Sequence, residues 1–353
     1  HTRCLSDWSS DVCSSDPYGN SSSPFSSDGT LYINKSKTHK VAPVKYGFHY
    51  EEIGMMGEGA LHAELIRNRS FEEATPPAGL SVKNGLYENV PAPRVKEKKV
   101  FQADPLIGWM SYPLSYTPVF ISRTEENPMS EENKYSMLVN VTEDIANHPD
   151  ALILNRGYYG MNLNTDVSYR LSLFLKNRNY SAPLRIFLVD ELGRKVSNVV
   201  EVNVGNREWT KYTGELKPEK NVQRGMLAIQ PMSKGQFQID VVSLFPSDTW
   251  NDGKSVFRKD IVQNLKEFSP SFIRFPGGCI VHGVNEETMY HWKKTLGPIE
   301  NRPGQWSKWA PYYRTDGIGY HEFYELCEYV GADAMYVMPF NAKNLELDRK
   351  SVV

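Results

Sequence analysis

The chain has 353 residues, 40% of them hydrophobic, with 40 lysines and arginines against 42 acidic residues. This length and apolar content predict a globular protein with a substantial core and roughly two domains. The net charge of -2 gives no electrostatic reason to expect a nucleic acid or an anionic membrane as a partner. The sequence has no run of about 18 apolar residues that could span a membrane, and no basic start with an apolar core that would mark a signal peptide.

Both ends of the sequence contain short segments that do not read as natural protein sequence. Residues 7–16, DWSSDVCSSD, and 348–353, DRKSVV, each resemble translated sequencing-adapter DNA. We therefore expect an adapter-like leader and flexible lead-in over 1–40, an adapter-like tail over 348–353, and true termini outside this chain. Cys4 and Cys13 fall in the leader, and the two remaining cysteines form no disulfide framework.

A weak strand is predicted over 29–34, within the lead-in. The first buried strand is predicted at roughly 44–50, within VAPVKYGFHYEEIG. A glycine-broken loop, GMMGEGA, follows, and LHAELIRN at 61–68 is helix-like. Residues 41–75 therefore have the pattern of one strand and one helix of an α/β fold.

A proline- and glycine-rich linker then leads into segments of alternating polarity. In YRLSLFLKN, Tyr169 and Leu171 share one face of a predicted strand while Arg170 lies on the other face. RIFLVDE, NVVEVNVG, GMLAIQP and FQIDVVSLF continue the pattern. Short strands separated by Gly, Asn and Pro turns predict an all-β insert, a β-sandwich over 76–248.

Helical periodicity returns in SVFRKDIVQNLKEFSP, which predicts a helix with an N-cap at Ser255 and an end at Pro270. The strand FIRF follows directly. A second helix is predicted from an N-cap at Asp316 to Gly331, and ADAMYVM is a third strand. Residues 249–347 thus continue the strand–helix alternation, with the sandwich inserted into the first crossover.

Alternating strands and helices predict a parallel sheet, either an open doubly wound sheet or a (β/α)8 barrel. Three strands are too few to close a barrel, so the pattern alone leaves both open. No GxGxxG motif opens the first helix, which counts against a dinucleotide-binding fold. Long polar loops after the strands favour the barrel, because barrel sites are built from such loops.

The stretch FIRFPGGC places several candidate site residues at the end of a strand. Arg274 carries a charge that a carboxylate or a ligand should meet, and a structural ion pair is an equally good explanation. Gly277 and Gly278 let the backbone approach a small ligand, although a tight turn explains them equally well. Cys279 precedes two apolar residues, as is common for a buried thiol without a chemical role.

The carboxylates offer no complete catalytic pair. Glycoside hydrolysis with retention needs two carboxyl groups roughly 5 Å apart. Glu51 and Glu52 are adjacent at the end of the first strand, so they face opposite ways, and one of them remains a candidate substrate ligand. We expect solvated surface positions for most of four other carboxylates: Glu58, Glu300, Asp316 and Glu322.

Motifs for metal binding and nucleophilic catalysis are missing from the sequence. His282, His291 and His321 have no partner at metal-ligand spacing, and neither HExxH nor paired CxxC occurs. No GxSxG elbow supports a serine triad. We therefore predict no metal site and no cofactor.

Three blocks of sequence carry a joint resemblance to one family. They are YGFHYEEIGMMGEGALHAELIRNRSFEE, FIRFPGGCIVHG, and HWKKTLGPIENRPGQW with TDGIGYHEFYELCEYVGA. Together they resemble the α-L-arabinofuranosidases of glycoside hydrolase family 51, in the plant and Bacteroidetes-like branch. The resemblance implies the first three βα units of a (β/α)8 barrel. It also implies a jelly-roll-like sandwich, similar to a carbohydrate-binding module, between barrel strands 1 and 2.

The resemblance further implies a retaining glycosidase that removes terminal α-L-arabinofuranosyl groups from arabinose-containing polysaccharides or oligosaccharides. Glu51 is similar to a glutamate that binds arabinose, Arg274 to an arginine that orders the carboxylates, and Cys279 to a residue of the sugar pocket. Gly277 and Gly278 complete the expected substrate-binding set. The family's acid/base and nucleophile glutamates lie on the fourth and seventh strands, so we expect no catalytic residue in this chain and no activity from it alone.

Two departures from the family pattern bear on these expectations. The branch usually has GCxVEG where this chain has GCIVHG, so that His282 replaces a glutamate, and MPFNAKNLEL after Val337 no longer follows the pattern. Two alternatives stay open: another retaining glycosidase of the same barrel class, such as a xylosidase or endoglucanase, and a non-catalytic carbohydrate-binding protein. Family habit predicts a secreted or periplasmic protein and leaves a homo-oligomer open for the full-length form.

Overall fold

The structure is a computed structural model that describes residues 46–74, 81–84, 86–90, 99–102, 104–283, 289–306 and 313–339. The chain divides into two units, and all described residues lie in the second, Tyr46–Val353. The adapter-like ends, the lead-in and the strand predicted over 29–34 lie outside the described residues. Among the residues that are described, no helix is long and apolar enough to cross a membrane.

The described residues contain strands β1 to β19 and helices α1 to α3. The strands are β1 Phe48–His49, β2 Ser81–Lys83, β3 Leu86–Val90, β4 Lys99–Gln102, β5 Trp109–Tyr112, β6 Val119–Thr124, β7 Ser136–Val141, β8 Leu152–Asn155, β9 Met161–Leu163, β10 Tyr169–Asn177, β11 Pro183–Val189, β12 Val200–Asn203, β13 Thr210–Leu216, β14 Val222–Pro231, β15 Gly235–Pro246, β16 Phe272–Phe275, β17 Gln305–Trp306, β18 Tyr313–Arg314 and β19 Asp333–Tyr336. The helices are α1 Lys259–Phe268, α2 Cys279–His282 and α3 Tyr320–Val330. Single helical turns occur at Gly57–Leu61, Ile145–Asn147, Trp292–Thr295 and Ile299–Asn301.

Three strands form a parallel sheet in the order β1-β16-β19. This sheet pairs a strand from near residue 48 with two strands from the last hundred residues of the chain. Parallel strands need crossover connections. Here α1 precedes β16, and α3 connects β16 to β19. In sequence, β2 to β15 lie between β1 and β16. The strands predicted at FIRF and ADAMYVM are present.

Side-chain alternation in β16 decides which face of the parallel sheet packs against the helices. Ile273 and Phe275 are buried, whereas Arg274 on the other face is half-buried. The Phe275 ring stacks against Tyr50, at 5.1 Å between centroids, and against Phe323 of α3, at 4.9 Å. Phe275 therefore joins β1, β16 and α3 in one apolar core.

Both helices that flank β16 start later than predicted. The N-cap of α1 is Arg258 and not Ser255, because the Ser255 hydroxyl accepts a hydrogen bond from the backbone N–H of Phe257 and the backbone is still extended at Arg258. The N-cap of α3 is Gly319 and not Asp316, which is buried and has φ of 53°. The predicted ends before Pro270 and at Gly331 are confirmed.

The helix predicted over 61–68 is wrong. After the turn Gly57–Leu61 the chain is extended, with the N–H of Ala63 donating to Val256 O at 2.8 Å and that of Leu65 to Leu244 O at 3.1 Å. Apolar and polar side chains are buried on both sides of this segment. Because six of these eight residues are buried, the segment lacks the solvent-exposed face that makes helix-like spacing of apolar residues a reliable signal.

Two antiparallel sheets form a sandwich between the first and second parallel strands. One sheet has the order β13-β10-β15-β7-β6, and the other has β12-β11-β14-β8-β5 with β9 paired to β14. In β10 the alternation predicted from the sequence is confirmed, since Tyr169, Leu171, Leu173 and Leu175 are buried. They belong to one apolar core that both sheets share.

The predicted linker contains regular structure of its own. Strands β2, β3 and β4 pair antiparallel in a small sheet. A separate two-stranded ribbon, β17 with β18, lies between β16 and α3 in sequence.

Candidate substrate-binding site at the ends of the parallel strands

Strands β1 and β16 deliver the predicted site residues to one edge of the parallel sheet. The two strands pair in register, with His49 opposite Arg274. Glu51 follows β1 by two residues, and Gly277 follows β16 by the same number. Because parallel strands end at the same edge, the segments that carry these residues meet there.

Arg274 donates a hydrogen bond to the ring of His49, with 2.7 Å between Nη1 and Nε2. Partial burial lowers the pKa of His49, the guanidinium of Arg274 lowers it further, and the carboxylate of Glu51 opposes both. A neutral imidazole can accept this hydrogen bond at Nε2. The hydrogen bond to His49 thus orients the guanidinium group of Arg274 at the edge of the sheet. The His49 side chain is 44% exposed there.

Glu51 lies against the backbone that follows β16. Its Oε1 accepts a hydrogen bond from the backbone N–H of Ile280 at 3.1 Å, and its Oε2 is 3.7 Å from His49 Nε2. Glu52 points elsewhere, since its Oε2 accepts from the N–H of Gly57 at 2.7 Å and from the Tyr50 hydroxyl at 3.1 Å. The two neighbouring glutamates face opposite ways, as the strand pattern predicts.

The two glycines after β16 make room for Glu51. A Cβ on Gly277 would lie 2.3 Å from Glu51 Cγ, and φ of Gly277 is +140°, which L side chains rarely adopt. A Cβ on Gly278 would lie 3.8 Å from Glu51 Oε2 and 3.9 Å from Arg274 Nη2. The bare backbone at Gly278 therefore faces a carboxylate and a guanidinium at once.

Cys279 opens the short helix α2 next to this cluster. Its thiol is free and half-buried, while Ile280 and Val281 after it are buried. His282 ends α2, and its side chain lies outside the described part of the structure. The structure thus brings Glu51, Arg274, Gly277 and Gly278 together and places Cys279 beside them in the chain.

The expectation that most of four further carboxylates are solvated is wrong, because basic groups or hydrogen-bond donors surround them. Glu58 and Asp316 are buried, Glu300 pairs with Lys211, and Glu322 pairs with Arg302. The four are Glu58, Glu300, Asp316 and Glu322.

Glu58 has the most perturbed environment of these four. Burial and the neighbouring carboxylate of Glu52 raise the pKa of Glu58 to about 8, although hydrogen bonds from Thr315 oppose the shift. The Thr315 hydroxyl donates to Glu58 Oε1 at 2.7 Å, and the Tyr158 hydroxyl lies 3.5 Å from Oε2. Glu58 therefore links the turn after β1 to the sandwich, through Tyr158, and to the segment before α3, through Thr315.

Comparison with known proteins relates this geometry to one family. A family model described as "Alpha-L-arabinofuranosidase 1 domain" matches residues 264–351, which include Arg274 and both glycines. Alpha-L-arabinofuranosidase 1 of Arabidopsis thaliana is 28% identical over 316 residues. The structure of an arabinose-bound MgGH51 α-L-arabinofuranosidase superposes with a TM-score of 0.72 at 22% identity, over 90% of this chain and 49% of that one. The chain is thus similar to α-L-arabinofuranosidases of glycoside hydrolase family 51.

The chain spans less than half of the curated relatives that it matches. The match covers 87% of this chain and 42% of the Arabidopsis protein. An extracellular exo-α-L-arabinofuranosidase of Streptomyces chartreusis is 27% identical, over 83% of this chain and 32% of its own length.

Sequence reasoning missed His49 as a member of the site. The signal that could have revealed it is register: once β1 and β16 are predicted to be parallel neighbours, His49 and Arg274 fall opposite each other on one face.

Within the ranges that the structure describes, no three His, Cys, Asp or Glu residues are grouped as a metal site.

Proposed function

We propose that the whole protein is a retaining α-L-arabinofuranosidase, and that this chain supplies the part of its active site that binds the terminal sugar. The observation that carries the proposal is the position of Glu51, whose carboxylate lies across the backbone of Gly277 to Ile280 at the ends of β1 and β16. The match of the family model over 264–351 supports it.

The proposal extends to the architecture. The strands β1, β16 and β19 are the first three strands of a (β/α)8 barrel, and the sandwich is inserted between the first two. The parallel pairing of the three strands and the position of β5 to β15 in the sequence support this arrangement. The ends of these strands are where barrel enzymes build their sites. The predicted domain limits, 41–75, 76–248 and 249–347, remain part of the proposal.

The described residues bind the sugar and leave bond cleavage to other groups. The N–H of Ile280 holds one oxygen of Glu51, so that the carboxylate is oriented before a sugar hydroxyl donates to it. Arg274, fixed by His49, places a positive charge beside the same edge. The two catalytic glutamates that the family resemblance assigns to the fourth and seventh strands are not among the three described parallel strands.

The activity is tested on an aryl α-L-arabinofuranoside with the whole protein and with the 353-residue chain. We expect arabinose release by the whole protein and no turnover by the chain. Glu51→Gln in the whole protein should lower kcat/KM, because an amide is a weaker acceptor than a carboxylate. Release of xylose or glucose without arabinose would select the alternative glycosidase, and turnover by the chain alone would overturn the assignment of cleavage to residues outside it.

The substrate and location of the whole protein follow from the same proposal. We propose that its substrates are arabinose-containing polysaccharides or oligosaccharides, and that it is secreted or periplasmic. The similarity to the extracellular exo-α-L-arabinofuranosidase of Streptomyces chartreusis supports both.

A further inference from the structure

A cleft of about 740 Å³ lies between the sandwich and the N-terminus of α1, and it shares no residue with the Glu51–Arg274 cluster. One wall comes from the turn after β8, from β9 and from the start of β10. The opposite wall comes from the extended segment 62–65 and from residues 258–260 of the α1 N-terminus. The cleft is therefore bounded by the sandwich on one side and by the start of α1 and segment 62–65 on the other.

The sandwich wall of the cleft combines an aromatic ring with side-chain amides. Tyr159 lies in the turn between β8 and β9 and is 81% exposed. In β9, Met161 and Leu163 are buried in the sandwich core, whereas Asn162 between them is exposed on the cleft side. Asn164 continues this polar row. A flat apolar ring beside amide donors and acceptors is suited to a sugar, which has apolar C–H faces and hydroxyl edges.

A buried histidine lines the opposite wall of the cleft. His62 is only 2% exposed, and its Nε2 has no hydrogen-bond partner among the residues that the structure describes. Burial and the nearby Arg69 and Arg302 lower its pKa to about 3, so the ring is neutral. A buried polar atom without a partner is costly. Because Nε2 is closed off from solvent, the ring shapes the wall of the cleft and offers no hydrogen bond to a ligand.

The charges of the cleft favour an uncharged ligand. Arg258 forms an ion pair with Asp260, so that much of the charge at the α1 end is internally balanced. Asp248 and Lys259, both exposed, add one charge of each sign. Without a surplus of positive charge, the cleft offers little to a phosphate or to an acidic sugar.

The cleft also lies at the same end of the parallel sheet as Glu51. Helix α1 leads into β16 through residues 269–271 alone, so it runs antiparallel to the strand and its N-terminus is level with the strand's carboxyl end. Segment 50–62 connects that edge with the cleft wall. A glycan chain whose terminal sugar is bound near Glu51 could thus continue along this end of the molecule.

We propose that this cleft is a second glycan site, which binds internal sugars of an uncharged oligosaccharide chain through Tyr159 and Asn162. The choice of a neutral glycan rests on the proposed arabinofuranosidase function. The cleft itself rests on its own geometry. A polymer held there and at the strand ends together would bind more tightly than at either site alone.

The test is isothermal titration calorimetry of the whole 353-residue chain with α-1,5-linked arabinopentaose and with xylopentaose. Trigalacturonic acid serves as the charged comparison. We expect at least one neutral pentasaccharide to bind. Tyr159→Ala should weaken this binding about tenfold or more, because it removes an aromatic contact surface. Tyr159→Phe, which keeps the ring, should stay within roughly threefold of the unaltered chain.

Tyr116→Ala is the matched control, since Tyr116 is an exposed tyrosine of the same sandwich that does not line the cleft. It should leave binding unchanged. The proposal is overturned if neither pentasaccharide binds, if Tyr159→Ala binds as well as the unaltered chain, or if trigalacturonic acid binds more tightly than both. Titration requires no turnover, so loss of the proposed activity in the arabinofuranoside assay is a separate result.

Discussion

At the scale of single residues, Gly277 decides whether Glu51 can lie where it does. The side chain of Glu51 packs directly on the Gly277 Cα, where any Cβ would overlap it. We expect Gly277→Ala to lower the free energy of unfolding by roughly 2–4 kcal/mol, through the overlap and the positive φ together. Urea denaturation of the chain measures this loss.

Gly278→Ala is the control for that substitution. The nearest atoms to a Cβ at Gly278 are 3.8 Å away, and its φ is -105°. We expect a loss of less than about 1 kcal/mol. Equal losses at Gly277 and Gly278 would show that the packing of Glu51 is not what requires glycine at 277.

Glu58 makes stability depend on pH. Its pKa rises from an ordinary 4.5 to about 8 on folding, so the folded state holds a proton that the unfolded state has lost. The free energy of unfolding therefore falls as pH rises between these two values, by at most about 1.4 kcal/mol per pH unit from this group. Glu58→Gln, which cannot ionise, should gain stability relative to the unaltered chain from about pH 5 to about pH 8.

The measurement is the difference in unfolding free energy between variant and unaltered chain at several pH values. A difference is needed because burial also raises the pKa of Glu64 and of Asp240. Glu126→Gln is the control, since this side chain is 66% exposed. A pH-independent difference for Glu58→Gln would mean that Glu58 is ionised in the folded protein across this range.

The sequence predicts the residues of the strand-end site better than it predicts their neighbours. Strand ends and alternation, which are local properties, predict Arg274 and one of the two neighbouring glutamates, and the family resemblance selects Glu51. The partner role of His49 depends on which strands pair, and the burial of Glu58 depends on Tyr158 and Thr315, which are 100 and 257 residues away in the chain. Such contacts leave no periodic signal in the sequence.

At the scale of elements, the N-terminus of α3 is held by a buried ion pair. Arg302 is 5% exposed and donates to both carboxylate oxygens of Glu322, whose Oε2 also accepts from the N–H of Gly319 at 2.8 Å. We expect Arg302→Met to lower the free energy of unfolding by about 3–5 kcal/mol, because Glu322 would lose its buried partner. Thermal or urea unfolding of the chain measures the effect.

Arg258→Met provides the comparison at the start of α1. The Arg258–Asp260 pair is solvent-exposed, at 44% and 62%, so its loss should cost less than about 1 kcal/mol. Equal losses of unfolding free energy for the two arginine substitutions would show that burial does not strengthen the Arg302–Glu322 pair.

Elements are predictable from the sequence where one face is solvated. Strand β10 has one buried face and one more solvent-accessible face, so the alternation of apolar and polar residues alone identifies it. Segment 61–68 is covered on both sides, so its helix-like spacing is misleading. The predicted capping residues fail for a different reason. Ser255 and Asp316 have the right chemistry for an N-cap, but local contacts with Phe257 and Arg314 use them before the helices begin.

At the scale of the whole molecule, segment 61–74 joins the apolar core of the parallel sheet to the core that the two sandwich sheets share. Leu61 packs in the core of the parallel sheet, whereas Ile66 and Phe71 are fully buried in the core of the sandwich. Hydrogen bonds also attach the segment to the sandwich. Glu64 Oε1 accepts from the N–H of Leu244 at 2.8 Å, and the indole N–H of Trp109 donates to Asn68 O at 3.0 Å. The sandwich is thus completed by residues that precede its predicted limit at 76.

This arrangement predicts that residues 61–248 form a more stable unit than residues 76–248 when each is expressed alone. Burial of Ile66 and Phe71 contributes roughly 1.5–3 kcal/mol each, so the shorter piece should lose about 3–6 kcal/mol of unfolding free energy. Phe71→Ala in the longer piece should remove about 3–5 kcal/mol of it. Leu114→Ala, at a residue that is 80% exposed, should remove almost none. Equal urea midpoints for the two pieces would mean that the sandwich core closes without segment 61–74, and the division at 76 would then be the physical one.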